Sequence, residues 1–212
     1  MYVPGFTAVD DDRARDIVAT ARSGWLVTGA GDGPPVATLM PILWRGDRLV
    51  AHMAKANPHW RAITDGMQAL VIVSGPEAYI SPSWYASKAE HGRVVPTWNY
   101  LAVHLTGTVS VHRDPAWLLA AVTDLTNRHE HDRVEPWHVT DAPDEYITAQ
   151  LKAIIGLEMH VEHVEGKAKL SQNRSDADRH GVVTGLDQEA RALDNSTVAD
   201  AMRPGPPPRP LR

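Results

Sequence analysis

The chain has 212 residues, a formal charge of −5 and no cysteine. That length carries one large domain or two small ones, and the acidic balance argues against broad nucleic-acid binding, which needs a basic surface. Without cysteine there are no disulfides, no Cys-ligated zinc or iron–sulfur centres and no thiolate nucleophile, so a bound metal must use His, Asp or Glu or arrive inside a cofactor. No apolar run approaches the ~20 residues of a membrane helix. The start, MYVPGFTAVDDD, reads as neither a signal nor a transit peptide. A cytoplasmic protein with no membrane partner is expected.

In chain order, Asp10 to Arg22 reads as a helix with an acidic first turn. Trp25 to Gly29 and Val36 to Leu43 read as strands, Pro41 marking an edge or bulge in the second. Arg45-Gly46-Asp47 is a hairpin turn into a third strand, Arg48 to Ala54. There Leu49, Ala51 and Met53 share one face and Val50, His52 and Ala54 the other. Asn57-Pro58 then reads as an N-cap followed by proline at the first helical position, opening a short helix to Thr64. Ala69 to Ser74 is a buried strand, broken at Gly75-Pro76 and resumed over Ala78 to Ser81. Pro82 to Thr97 is a long polar loop, of the kind that is usually functional. Trp98 to Val111 alternates as a long strand. Asp114-Pro115 opens the strongest helix, with Trp117, Leu118, Ala121, Val122 and Leu125 as its stripe. A second helix runs from Pro143 past Ile154 and Ile155 and ends at Gly156. Leu157 to Val164 is a strand, Lys167 to Ser171 a short extended segment, and Asp176 begins a weaker helix. About seven strands with inserted helices indicate an α+β, antiparallel barrel-like class. Residues 1–190 are expected to form the folded domain, and 191–212 a C-terminal helix and proline-rich tail.

Four groups of residues invite chemistry. A strand delivering a helix N-terminus leaves free N–H groups, a ready anion site, and His52, Lys55, Asn57 and His59 flank that point. His59 there would favour neutral imidazole, the form that ligates iron. The alternative is that His52 faces its strand's partner and His59 is an exposed helix residue. His129, His131, His160 and His163 lack convergent metal spacing, so a solvated face explains them. Lys88, Glu90 and His91 supply a cation, an acid and a base within the long loop, where loop polarity alone is the alternative. Lys167 and Lys169 project on one face, as suits an anionic ligand, where a pair of solvated lysines is the alternative. No GxGxxG, Walker loop or GxSxG motif occurs, so Rossmann, P-loop and hydrolase readings lack support.

Several segments together resemble the PaiB-like family of FMN-binding split-barrel proteins. They are Met1-Tyr2-Val3-Pro4, His52 to Trp60, Gly75 to Tyr85, Lys88 to Gly92, Val95 to Tyr100, Glu165 to Lys167 and Lys169 to Asn173. The resemblance spans residues 1 to about 185 and implies an antiparallel split β-barrel with peripheral helices, usually a homodimer with the cofactor at the subunit interface. Two positions depart from the family: Leu39 stands where His is common, and Ala168 where Trp or Phe is usual. Replacing an indole by a methyl frees on the order of a hundred Å³, the scale of a small ligand cavity. That feature resembles the piperazate synthase branch, which binds heme b and closes δ-N-hydroxyornithine into piperazic acid. The α-amine attacks the hydroxylamine nitrogen and water leaves, without net redox change. On this reading His59 is the expected iron ligand, with His52 second. Lys55, Arg61, Lys167 and Lys169 would hold propionates or the substrate carboxylate, and Glu90 or His91 would keep the amine neutral, beside Lys88. Trp60, Tyr85 and Trp98 would form apolar walls, Gln172 and Asn173 would bond polar edges, and Asn57 would bind the cofactor with the group at the turn. The alternatives are an FMN-binding regulator and a flavin-dependent oxidoreductase. Direct DNA readout is not expected, since no helix-turn-helix is recognisable.

Overall fold

The computed structural model describes residues 1–31, 33–189 and 195–203. Its strands are β1 (Ala8–Val9), β2 (Ser23–Ala30), β3 (Gly33–Arg45), β4 (Arg48–Ala54), β5 (Met67–Ile80), β6 (Thr97–His112) and β7 (Ile154–Lys169). Its helices are α1 (Asp11–Ala21), α2 (Ser87–His91), α3 (Pro115–Glu130), α4 (Asp144–Leu151), α5 (Asp176–Gln188) and α6 (Asn195–Met202). The strands follow the order β1-β7-β4-β3-β2-β5-β6, and β7 also pairs with β6, which brings the order back on itself. The class is α+β with an antiparallel sheet, as the alternating patterns indicate.

The chain divides into two compact units, each assembled from separated segments. One comprises Ala21–Val73 and His104–Val164. Its centre is β4, whose residues Leu49, Ala51 and Met53 are buried while the alternate positions are not. The partners are Ile42 to Arg45 of β3 on one side and Ile154 to His160 of β7 on the other. The β3–β4 register stops at Ile42↔Ala51, so β3 has lost that neighbour at Pro41, where a missing N–H costs no ladder bond. Asp114 caps α3 by accepting from the Trp117 amide at 2.8 Å. Leu118, Ala121 and Leu125 of that helix are buried.

The second helix of the sequence reading is shorter than expected. It ends at Leu151, and Ile154, Ile155 and Gly156 belong to β7. Gly156 is therefore no helix stop: it pairs with His52, and a Cβ there would run into the Trp117 ring. Strand pairing with β4 overrides the helical period of this stretch.

The other unit holds the described residues of Met1–Thr20, Ser74–Val103 and Glu165–Arg212. The expected break at Gly75-Pro76 is absent, because β5 runs unbroken to Ile80. A side chain at Gly75 would meet the Leu101 Cβ at 2.9 Å, so glycine permits a close approach of β6. The extended segment at Lys167 is likewise the far end of β7, paired with the short β1 through Ala8↔Lys167. The expected loop after Pro82 contains the short helix α2. Ser87 anchors it, its amide and hydroxyl both donating to the Asp178 carboxylate at 2.9 Å. Those bonds, the backbone one first, hold the Asp178 carboxyl below its usual range. Helix α6 buries Val198, Ala199 and Met202. The proline-rich tail lies outside the described residues. Among the described residues no helix is long and apolar enough to cross a membrane.

Candidate functional site

The expected site residues fall in both units. In the first, the chain leaves β4 at Ala54 and turns through Lys55 to a 3₁₀ turn over Pro58–Ala62. Asn57 caps that turn, its side-chain oxygen accepting from the His59 amide at 3.0 Å. Its amide nitrogen donates to Thr38 Oγ1 at 3.3 Å. The Trp60 indole N–H closes the turn on the Lys55 carbonyl at 2.9 Å. Arg61 and Arg113 lie over the Trp60 ring at 5.4 and 5.1 Å, within cation–π range.

His59 is the centre of this cluster and is not an exposed helix residue: it is 3% exposed. Its Nε2 lies 2.9 Å from Thr28 Oγ1 and its Nδ1 lies 2.8 Å from Thr38 Oγ1. A neutral imidazole satisfies both contacts, donating through one nitrogen and accepting through the other. Burial lowers its pKa, so the neutral form prevails. Both ring nitrogens are thus engaged, and the one accepting lone pair of the neutral ring is taken by a hydroxyl. His52 lies on the face of β4 away from Leu49, Ala51 and Met53. Its cross-strand partner is Gly156, over which the Trp117 ring is packed. Its Nδ1 is buried without a hydrogen-bond partner, and burial lowers its pKa as well. Among the described residues no group of three or more His, Asp or Glu could hold a metal ion.

In the second unit, Lys167 and Lys169 project from the end of β7. Lys167 is 8% exposed, yet its Nζ has only the Tyr2 carbonyl, at 3.0 Å, and the faces of Tyr2 and Tyr100 at 5.8 and 5.3 Å. Lys169 Nζ donates to Thr97 Oγ1 and to the Trp98 carbonyl at 2.5 and 2.6 Å. Burial lowers the Lys169 pKa, Tyr100 opposes that and Lys167 adds to it. Among the described residues neither ammonium has a carboxylate partner; Glu165, also on β7, pairs with the Met1 amino group at 2.7 Å. Gln172 closes the turn after β7, accepting from the Leu170 amide at 2.7 Å and donating to the Ala168 carbonyl. Ala168 itself is buried. Trp98 is half-exposed, packs edge-on to Tyr79 and donates to Glu77 at 3.3 Å. Tyr85 is 3% exposed, its hydroxyl unpartnered and its ring 4.7 Å from the Arg174 guanidinium.

Lys88, Glu90 and His91 do not converge on anything. They sit on the exposed α2, where Lys88 donates to Ser83 at 3.0 Å and His91 Nδ1 accepts from the Arg93 amide at 3.0 Å. Sequence reasoning missed Thr28 and Thr38, which come to His59 from 31 and 21 residues away. It also missed Asn99, fully buried and accepting from the Ser171 hydroxyl at 3.1 Å. Tyr2 was within reach, since its motif and that of Lys167 belong to the same set of family-like segments.

Known proteins resemble this chain in sequence and in fold. A family described as "Putative FMN-binding domain" matches residues 1–180. The protease synthase and sporulation protein PAI 2 of Bacillus subtilis is 32% identical over 194 residues, covering 89% of this chain and 90% of that protein. An FAD and heme binding protein from Mycobacterium smegmatis shares the fold with a TM-score of 0.59 at 21% identity, over 83% of this chain and 78% of that one. The flavocytochrome Anf3 from Azotobacter vinelandii does so with a TM-score of 0.58 at 16% identity, over 84% and 78%. The match over most of the length makes this chain a member of the FMN-binding-domain family to which PaiB-like proteins belong.

Proposed function

We propose that this chain binds a flavin mononucleotide and that Lys167 and Lys169 hold its phosphate. The observation that carries this reading is Lys167, an ammonium 8% exposed with no carboxylate partner among the described residues. A buried charge without a counter-charge is costly, and a phosphate would supply one. Each ammonium has three donors; Lys167 spends one on protein and Lys169 two, so donors remain for an anion. A flavin would supply electron or hydride transfer. The protein's own part is to bind and orient the phosphate end.

A second reading is the heme-dependent N–N cyclase acting on δ-N-hydroxyornithine. It is supported by the neutral His59, which would gain a free ring nitrogen by giving up one threonine. It also requires one of the two hydroxyl contacts to break, whereas the lysine pair keeps donors open beside its present bonds. Reconstitution with FMN and separately with hemin, followed by absorption spectra, separates the two. A stoichiometric flavin spectrum is expected; a stable Soret band that His59→Ala abolishes would replace the flavin reading with the heme one.

A homodimer fits the exposed apolar row on the sheet. Trp25 and Leu39 are cross-strand partners, 46% and 51% exposed, and Ile72 continues the row beside Trp25. Contiguous exposed apolar area of this kind marks interfaces. Sedimentation at micromolar concentration should show a dimer that Leu39→Asp dissociates; a wild-type monomer would sink the idea.

A further inference from the structure

We infer that the cavity bounded by α3, α4 and the start of β7 binds a small apolar carboxylate. The cavity measures about 210 Å³. Its apolar walls include Leu118, Leu151 and Ile154, and its cations are Lys55, Arg113 and Lys152, with no acidic residue among the described residues of the lining. None of the three cations pairs with a carboxylate among the described residues. Arg113 is held instead against the Trp60 ring at 5.1 Å.

Two properties of the lining select the ligand. Three like charges around one opening repel one another and attract an anion. The apolar walls then reject a bare inorganic anion, because such a ligand would leave the hydrophobic surface unfilled. What satisfies both is a carboxylate on a hydrocarbon body. An apolar cavity of about 150 Å³ accommodates benzene, with its six carbons, so a cavity of about 210 Å³ scales to roughly eight carbons. The site shares no residue with Lys167 or Lys169, so it stands or falls separately from the flavin reading.

The test is calorimetric titration of the full chain with octanoate, octanol and acetate. Saturable one-to-one binding of octanoate below millimolar Kd is expected, at least tenfold tighter than octanol or acetate. Lys152→Glu, at an exposed position, should weaken octanoate at least tenfold at unchanged melting temperature. Leu151→Trp, which fills the cavity, should abolish it. Equal affinity for octanol would overturn the role of the cations, and equal affinity for acetate the role of the walls. Failure to saturate, indifference to both substitutions, or displacement of bound FMN by octanoate would overturn the site itself.

Discussion

The turn from Lys55 to Arg61 and the segment from Glu165 to Asn173 are both dense in polar groups, and they are built on opposite principles. In the turn the His59 cluster is closed by hydrogen bonds: each imidazole nitrogen meets a hydroxyl, the Asn57 oxygen accepts from the His59 amide, and the Asn57 side-chain amide donates to Thr38. In the segment two ammonium groups are tucked against neutral oxygens and aromatic faces, with their charge uncompensated. The first arrangement is complete as it stands and reads as structure. The second keeps ammonium donors open for the phosphate proposed above. Polar richness alone therefore does not mark a ligand site; unbalanced charge in a buried setting does.

The largest expected effect lies in the segment. Replacing both lysines, Lys167→Ala with Lys169→Ala, should weaken FMN binding by at least 100-fold in a fluorescence titration, because two hydrogen bonds to a charged group are each worth about 1.5–3 kcal/mol. Riboflavin, which lacks the phosphate, should bind the variant and the wild type alike. Equal loss for both ligands would mean that the lysines support the fold and not the phosphate. The same contrast has a pH signature. Burial lowers the Lys169 pKa, so its charge is lost as pH rises before an ordinary lysine would lose its own. FMN affinity should accordingly fall with rising alkalinity, and Lys169→Arg should remove that dependence.

This contrast also shows where the sequence could be read. Alternation in β4 and the Asn57-Pro58 cap are local signals, and both appear in the structure where the residues place them. The α+β class follows from the same periodicities. His59 could not be read that way, since its environment is supplied by Thr28 and Thr38 on two other strands. A short helical period likewise could not reveal that Ile154 and Ile155 belong to a strand, because pairing with β4 decides it. Lys167 was legible as a cation, but not as a buried one.

The turn is the place for the next effect. Thr28→Val removes one hydroxyl and leaves a buried ring nitrogen of His59 without a partner, at a cost of about 1–3 kcal/mol. For a chain of this size that is a melting temperature lower by about 2–4 °C per kcal/mol. FMN affinity should change little once the protein is folded. A variant as stable as wild type would show that the threonine contact contributes nothing and would weaken the contrast drawn above.

A smaller effect is expected from pH on the same cluster. The folded pKa values of His52 and His59 are lowered by burial, while in the unfolded chain a histidine titrates near its ordinary value of about 6.5. Above that value both states are neutral and nothing is lost. As pH falls below it the unfolded chain takes up protons first, so stability drops towards the lowered folded pKa. Thermal melts between neutral and mildly acidic pH should show that decline, and His59→Gln should flatten it. A decline of equal slope in His59→Gln would assign it to other groups.

The smallest effect separates the two regions from a third. Lys88, Glu90 and His91 resemble a catalytic set in sequence, but α2 carries them on its exposed surface, where Lys88 donates to Ser83 and His91 accepts from the Arg93 amide. Exposed groups of this kind contribute little to stability or to ligand orientation. Glu90→Gln and His91→Ala should each leave the melting temperature unchanged and shift FMN affinity by less than about twofold. Ser87→Ala should do more than either, because Ser87 ties α2 to the buried Asp178 and its loss strips one hydrogen bond from a charged carboxylate. If Glu90→Gln outweighed Ser87→Ala, α2 would have to be counted with the segment around Lys167 as a place where charge acts on a ligand.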